Sequence, residues 1–343
     1  MSASYLIWVS VAHIIALIGF FASLISGLFL IYLNLFCIKK VFGSYKYLMI
    51  VFTSLGIAFA TLEVIFYPNM HSFNSATLYF TLDKPFGLSK EILSASLVIY
   101  TGFYSATICL IAIQFIYRYW AVFDEPKLFY FQGWHILMWV AYVLYFGTQW
   151  AIGAYNFVKT DHVAEEYFRQ EMLLRYNVSI DDLPSLALVA FDPKNGHVRW
   201  WNLMTIVNMS FIMCIQYGVM IYCGYMMFAK MEEKLQNFST THKTHHKQLF
   251  KTLLLQIATP TIFLFVPLSF IIYLPLFQIE LSTPTGVLLS GFSLYPAVDS
   301  LVVMYVVAEY RKKVKNILEL MSKKVCIFQV NRVENYENTT RTT

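Results

Sequence analysis

Charge is scarce in this sequence. Asp, Glu, Lys and Arg make up 13% of its 343 residues, and between Tyr5 and Ile38 there is none. A soluble globular domain carries about 25% charged residues, so lipid rather than water is the expected solvent. Also missing is a basic stretch ahead of the first apolar run, since Met1-Ser2-Ala3-Ser4-Tyr5 contains no Lys or Arg. The uncharged run that follows is far longer than the roughly 7–15 residues of a signal-peptide core. An uncleaved signal-anchor helix is expected there.

Cysteines and catalytic motifs are thin as well. The five cysteines are Cys37, Cys109, Cys214, Cys223 and Cys326. Each falls in an apolar run or on the lysine-rich side of the chain, which excludes an extracellular disulfide framework. The four in apolar runs are expected as small apolar fillers. There is no phosphate-binding glycine loop and no metalloprotease helix. His242, His245 and His246 lie beside Lys243 and Lys247 and have no acidic or cysteine ligand next to them, so they are expected as solvated loop histidines. No catalytic set, metal, cofactor or nucleic-acid partner is expected.

What the chain does have is apolar length. A bilayer core needs about 20 apolar residues per helix, and seven stretches supply them: 13–37, 46–67, 92–117, 134–157, 203–228, 252–275 and 286–308. The expected fold is an all-α membrane protein, a seven-transmembrane bundle over 1–308 with a cytoplasmic tail over 309–343. Aromatic residues, 18% of the chain, gather near the ends of the runs, the depth that suits an apolar ring with a polar tip. Seven spans put the termini on opposite sides, and Lys and Arg orient them. The connections after the odd-numbered spans, together with the tail, hold 18 of the 25 Lys and Arg. The other side holds Lys84, Lys90, Lys159, Arg169, Arg175, Lys194 and Arg199. Positive charge is retained in the cytoplasm, so the N-terminus is expected outside. Asn177-Val178-Ser179 then falls outside as an N-glycosylation acceptor. Asn237-Phe238-Ser239 and Asn338-Thr339-Thr340 share its form on the cytosolic side.

Several residues inside the spans invite a function. Stepping back from Arg118 by four and three reaches Gln114, Ile111, Thr107, Tyr104 and Tyr100, one face of a helix. Five of these six positions can hydrogen-bond, so the stripe should face the bundle interior; it serves either as a packing interface or as a functional surface. Arg118 at the end of that helix is either a positive-inside anchor or a switch between an internal partner and an incoming protein. Pro260, Pro267 and Pro275 in the sixth span and Pro296 in the seventh remove backbone hydrogen bonds, making static kinks or hinges. Asp299 is expected roughly 15 Å from the cytoplasmic end at 1.5 Å per residue, deep enough that an ionisable group is usually functional. Glu63, one turn from the outer end of its span, is expected to snorkel to water. After the seventh span, Tyr310, Val314, Ile317, Leu318 and Met321 recur at helical spacing among basic residues. This predicts an amphipathic helix over 309–321 on anionic lipid, followed by Cys326 as a free thiol or a palmitoylation site.

Ordered blocks of the chain resemble a known family. Gly43-Ser44-Tyr45-Lys46-Tyr47-Leu48-Met49-Ile50 is similar to the GxYKYLM signature of nematode Str chemoreceptors, and Tyr117-Arg118-Tyr119 resembles the end of their third helix. Lys247-Gln248-Leu249-Phe250-Lys251-Thr252-Leu253 through Gln256, Pro260 and Pro267 is similar to their sixth-helix block. Leu294-Tyr295-Pro296-Ala297-Val298-Asp299 followed by Glu309-Tyr310-Arg311 resembles the seventh; Ser300 stands where the family usually has Pro. The resemblance implies a G-protein-coupled chemosensory receptor of the plasma membrane, in sensory-neuron cilia, detecting odorants or other small environmental chemicals. The expected ligand contacts are Tyr100, Tyr104, Trp201, Asn208 and Tyr273. Tyr117, Arg118 and Tyr119, with the 229–251 loop, are expected to engage a heterotrimeric G protein. Pro260, Pro267, Tyr295, Pro296 and Asp299 form the expected switch. The alternative is a ligand-gated seven-helix channel or a small-molecule transporter with Glu63, Asp299 and the stripe as its path; no internal repeat supports a transporter.

Overall fold

The computed structural model describes residues 4–37, 45–235, 254–307, 309–317 and 319–320. Seven of its helices are long and apolar enough to cross a bilayer. They are α1 (Leu6–Cys37), α2 (Tyr45–Phe66), α3 (Lys90–Phe123), α4 (Ile136–Phe157), α6 (Trp200–Leu235), α7 (Leu254–Phe277) and α8 (Gly286–Val306). A further helix, α5 (His162–Tyr176), lies in the connection between the fourth and fifth spans. Ile14, Ile18, Phe21 and Ile25 on α1 and Leu137, Leu144 and Ile152 on α4 face outward, exposed. A continuous apolar belt of that kind suits lipid, not water.

The helices outrun the expected spans. α1 starts at Leu6 rather than 13, because nothing before Ala12 interrupts a helix. α3 runs from Lys90 to Phe123 rather than 92–117. Ser89 caps its start by accepting from the Ile92 amide at 3.5 Å, and charge at the ends is tolerated where the helix leaves hydrocarbon. α6 likewise extends beyond 203–228. α3 is the central element, packed against α2, α4 and α6. Close approach elsewhere depends on small residues. A Cβ at Gly19 of α1 would fall 2.2 Å from the Ser293 hydroxyl of α8, and one turn on Ser23 donates to the Ser293 carbonyl at 2.9 Å.

The face of the bundle that carries the N-terminus is roofed by a sheet. Strands β1 (Asn69–Phe73), β2 (Ala76–Phe80), β3 (Ser185–Val189) and β4 (Ser282–Thr283) are ordered β3-β2-β1-β4 and pair antiparallel. The register sets Met70 against Tyr79 and Tyr79 against Leu186. Side chains alternate across a strand. Ala76, Leu78, Phe80, Ala187 and Val189 pack with Ala164, Phe168, Met172 and Tyr176 of α5 in a small separate core. Thr77, Tyr79, Leu186 and Leu188 take the opposite phase, toward the bundle. Asp161 caps α5 by accepting from the Ala164 amide at 3.0 Å, and Asn177 ends it in the left-handed region at φ 56°.

A buried polar cluster ties this roof together. His71 of β1 is fully buried, its Nε2 3.3 Å from Glu171 Oε1 of α5 and its Nδ1 3.1 Å from the Tyr176 hydroxyl. Ser282 of β4 donates to Glu171 at 2.5 Å, and Arg175 Nε reaches the same carboxylate at 3.1 Å. Tyr5, one residue before α1, donates to the Ser282 carbonyl at 2.9 Å and carries the Arg175 guanidinium over its ring. The His71 contact first, then Ser282 and Arg175, hold the Glu171 carboxyl at about 2 against burial, which acts the other way.

Because that value lies below the ordinary 4.5, the contribution of Glu171 is fully present above pH 4.5 and is lost as pH falls toward 2. Hydrogen-exchange protection of α5 is expected to drop by about 3 kcal/mol across that window. A Glu171→Gln variant should start lower and stay flat. Equal slopes in the two proteins would contradict the assignment.

Candidate functional site

Beneath the sheet lies a cavity of about 100 Å³. Tyr100, Thr101 and Tyr104 of α3, Trp150 and Ala154 of α4, and Thr205 and Met209 of α6 form its sides. Leu268, Ile271 and Ile272 of α7 and Leu289 and Phe292 of α8 complete them, while Met70, Thr77, Tyr79, Leu186 and Leu188 form the ceiling. Among the described residues no charged side chain lines it. Several wall hydroxyls already have protein partners. Tyr100 donates to Glu63, Tyr104 to the Leu264 carbonyl at 3.2 Å, and Thr101 to the Val98 carbonyl at 2.7 Å. Thr77 is 3.4 Å from the Ser72 hydroxyl. Among the described residues, the Tyr79 hydroxyl, Trp150 Nε1 and the Thr205 hydroxyl are buried and meet no hydrogen-bond partner.

Of the ligand contacts expected from sequence, Tyr100 and Tyr104 stand on this wall; Trp201, Asn208 and Tyr273 do not. Trp201 lies one turn from Thr205, beyond the cavity, 65% exposed, and donates to the Asn156 carbonyl at 3.0 Å. Asn208 is rotated one position from Met209 into the α4–α6 contact, where it accepts from Gln149 at 2.9 Å and fills the space above Gly153. Tyr273 turns outward and meets the Ser210 hydroxyl at 2.6 Å. Sequence reasoning missed the ceiling and Trp150. The alternation Ala76-Thr77-Leu78-Tyr79-Phe80 was the available signal for the ceiling.

Glu63 departs from expectation. It is 1% exposed and points inward to the Tyr100 hydroxyl rather than snorkelling. The Tyr100 ring stacks on Phe59 at 4.8 Å, one helical turn before Glu63, so packing draws the carboxyl to the same side.

The α3 stripe runs from this cavity to the opposite face. Tyr100, Tyr104, Thr107, Ile111 and Gln114 are all buried, and Arg118 ends the row. Its guanidinium is held by three uncharged partners: the Tyr45 hydroxyl of α2, from Nε at 2.7 Å and from Nη2, Gln256 of α7, and Gln114 at 3.2 Å. Tyr117 stacks on Tyr45 with centroids 4.9 Å apart, and the Tyr119 hydroxyl accepts from Lys230 of α6 at 3.0 Å. Three helices therefore meet at the end of α3. Asp299 of α8 accepts from the Tyr295 hydroxyl at 3.5 Å. Tyr310, fully buried, donates to Asn34 at 2.7 Å and anchors a helix over 309–317 against α1 and α2. Leu318, Met321 and Cys326, the three histidines and most of the 229–251 loop lie outside the residues whose side chains are described.

α7 connects the two ends. Pro260 precedes a π-helical turn, Thr261–Phe265, and Pro267 follows it inside the next turns. Each proline lacks the amide that would bond one turn back, and a π turn often marks a functional position. Leu264, whose carbonyl accepts from Tyr104, lies inside that turn. Gln256 of the Arg118 cluster lies one turn before Pro260, and Leu268 of the cavity wall immediately follows Pro267. Pro296 opens the last segment of α8, Tyr295–Val306. Among the described residues there is no His, Cys, Asp and Glu cluster suited to a metal, and Cys37, Cys109, Cys214 and Cys223 are free.

Comparison with known proteins gives a consistent result. The profile of the family described as serpentine type 7TM GPCR chemoreceptor Str matches residues 12–315. The chain is 37% identical to G-protein coupled receptor str-33 of Caenorhabditis elegans, over 87% of this chain and 88% of that one. It is 28% identical to serpentine receptor class r-10 of the same organism, over 81% and 83%. It is 23% identical to G-protein coupled receptor str-217, over 84% of each.

Removing the Tyr100 hydroxyl withdraws the donor to a buried carboxyl. Tyr100→Phe is therefore expected to cost about 1–3 kcal/mol, seen as a lower thermal midpoint of the detergent-solubilised protein. Adding Glu63→Leu should recover part of it in a double-mutant cycle. Additive losses would show that the two groups do not interact.

Proposed function

The chain belongs to the Str family of serpentine seven-helix chemoreceptors, and from that membership we propose how its parts divide the work of a receptor. It is a multi-pass membrane protein and a chemosensory G-protein-coupled receptor, and family membership does not favour a channel or transporter. A small environmental chemical binds in the cavity between α3, α4, α6, α7 and α8, touching Tyr100 and Tyr104. The face with the N-terminus and sheet is extracellular, as the distribution of Lys and Arg supports. The face with Tyr117, Arg118 and Tyr119 receives a heterotrimeric G protein. Residues 1–308 form the receptor body and 309–343 the cytoplasmic tail, and the exposed Asn177 at the end of α5 carries a glycan. The receptor resides in the ciliary membrane of a sensory neuron.

The observation that carries this reading is the buried stripe on α3. It joins the cavity to the Arg118 cluster across about 27 Å of helix at 1.5 Å per residue. A ligand pressing on Tyr104 competes with its bond to the Leu264 carbonyl. That bond restrains the π turn of α7, whose prolines have already removed backbone hydrogen bonds on either side. When α7 shifts, Gln256 withdraws from Arg118, and the guanidinium becomes available to the G protein. Tyr295, Pro296 and Asp299 adjust α8 alongside.

Freeing Arg118 from its internal partners should mimic the ligand. Tyr45→Phe and Gln256→Leu are each expected to raise ligand-independent signalling several-fold in a heterologous cell, while Arg118→Ala abolishes ligand-evoked signalling at unchanged surface expression. Unaltered responses in all three would remove the latch from the mechanism. Orientation is checked separately. An epitope ahead of Met1 should stain on intact cells and one after Thr343 only after permeabilisation; the reverse would overturn the whole assignment.

A further inference from the structure

A second, larger hollow opens on the lipid-facing side of the bundle, away from the cavity beneath the sheet. Its volume is about 1020 Å³, and three helical faces line it. Ala22, Ile25, Ser26 and Phe29 of α1 recur at the spacing of one helix face, as do Leu301, Met304 and Tyr305 of α8. Arg311, Val314 and Lys315 of the helix over 309–317 form the third face, with Glu319 beyond it. On α1 the trough starts one turn past Gly19, where α1 and α8 are in close contact. Tyr310, next to Arg311, is buried, and its bond to Asn34 fixes the third face in place. The Ser26 hydroxyl is occupied with its own backbone, donating to the Ala22 carbonyl at 2.6 Å. Ile25, Leu301 and Tyr305 are 68%, 56% and 63% exposed, so the trough opens sideways to hydrocarbon. Arg311 and Lys315 stand just past Val306, where the seventh span ends. Among the described residues no carboxylate lies within ion-pair distance of Arg311. Lys315 meets Glu319 only at 3.9 Å, with both side chains largely exposed, a pair that holds little.

A hollow that is apolar along its depth and cationic at its mouth has the polarity that complements an anionic lipid. We propose that it binds one anionic glycerophospholipid, with the phosphate on Arg311 and Lys315 and an acyl chain along Ala22, Ile25, Ser26 and Leu301. A guanidinium suits phosphate because it presents paired donors in one plane. Burial of the chain does not drive the selection, since bulk lipid is as apolar as the trough. The headgroup charge does, at a segment that carries Arg311, Lys312, Lys313 and Lys315. A second copy of this chain fits less well. A two-fold dimer in a bilayer keeps both copies at one depth, so it would bring two cationic mouths together. The site requires only that α1 and α8 span a membrane; that its lipid comes from the cytoplasmic leaflet rests on the proposed orientation.

The test uses the full-length, detergent-solubilised protein and three probes. They are dioctanoyl phosphatidylserine, dioctanoyl phosphatidylcholine and glycerophosphoserine, the last being the anionic headgroup without chains. Native mass spectrometry is expected to retain one phosphatidylserine per chain, bound about tenfold tighter than phosphatidylcholine, and no glycerophosphoserine. Arg311→Gln combined with Lys315→Gln should weaken phosphatidylserine about thirtyfold. Lys312→Gln combined with Lys313→Gln removes the same charge from residues outside the lining and should leave binding nearly unchanged. Ala22→Phe narrows the trough and should weaken the lipid while both cations remain. If that variant fails to fold, Leu301→Trp, at an exposed position, serves in its place. Equal losses in the two double variants would overturn the proposal, because only diffuse attraction to a basic helix would then remain. Equal binding of the two lipids would overturn it too, as would glycerophosphoserine binding as tightly as phosphatidylserine. A dimer that dissociates in Ala22→Phe while phosphatidylserine stays bound would assign the trough to a second copy instead. Finding the tail outside the cell would change the leaflet and leave each of these binding results standing.

Discussion

Hydrocarbon offers no water to a buried hydroxyl, amide or carboxyl, and the interior of this bundle is arranged around that constraint. Most polar side chains within the spans meet a partner on another helix or on their own backbone. Ser23 reaches the Ser293 carbonyl, Ser105 the Phe146 carbonyl at 3.1 Å, Tyr142 the Gln216 amide oxygen at 2.9 Å, and Tyr310 reaches Asn34. Each bond contributes about 0.6 kcal/mol on average in a membrane, too little to hold two helices alone. Such bonds do, however, fix which face each helix presents, because leaving a partner unpaired costs more than the bond contributes.

α3 is the axle of this arrangement. Its buried face touches the cavity near one end and the Arg118 cluster at the other, and α7 runs beside it with a weakened backbone midway. Nothing along the path is strong by itself. Among the described residues the Arg118 cluster is built from hydrogen bonds to uncharged groups, with no carboxylate in contact with the guanidinium. A ligand can shift an equilibrium only by its differential affinity for the two states, and a latch of modest bonds keeps that requirement within reach of a molecule of few atoms.

Sequence and structure agree where periodicity carries the information. The α3 stripe is readable from Arg118 back to Tyr100 because a continuous helix preserves phase over many turns, and the seven spans are readable because hydrocarbon demands long apolar runs. Legibility fails where contacts depend on distant segments. Glu63 was expected at water because only its position along α2 was visible; the Tyr100 hydroxyl that receives it belongs to another helix. Trp201, Asn208 and Tyr273 lie on the correct helices, but a rotation of one position or an extra turn removes them from the wall. The ceiling was the hardest part. Its strands are five residues or fewer and come from three loops, so their pairing cannot be read from any one of them.

The cluster of Tyr5, His71, Glu171, Arg175 and Ser282 joins the N-terminal segment to all three loops on its face, and no cysteine occurs in any of them. In this receptor, polar contacts do the tethering that sulfur bridges do elsewhere. The covering over the cavity therefore needs no oxidising compartment to mature and no isomerase to sort its connections. It should form as readily in a reducing translation mixture as in a secretory lumen.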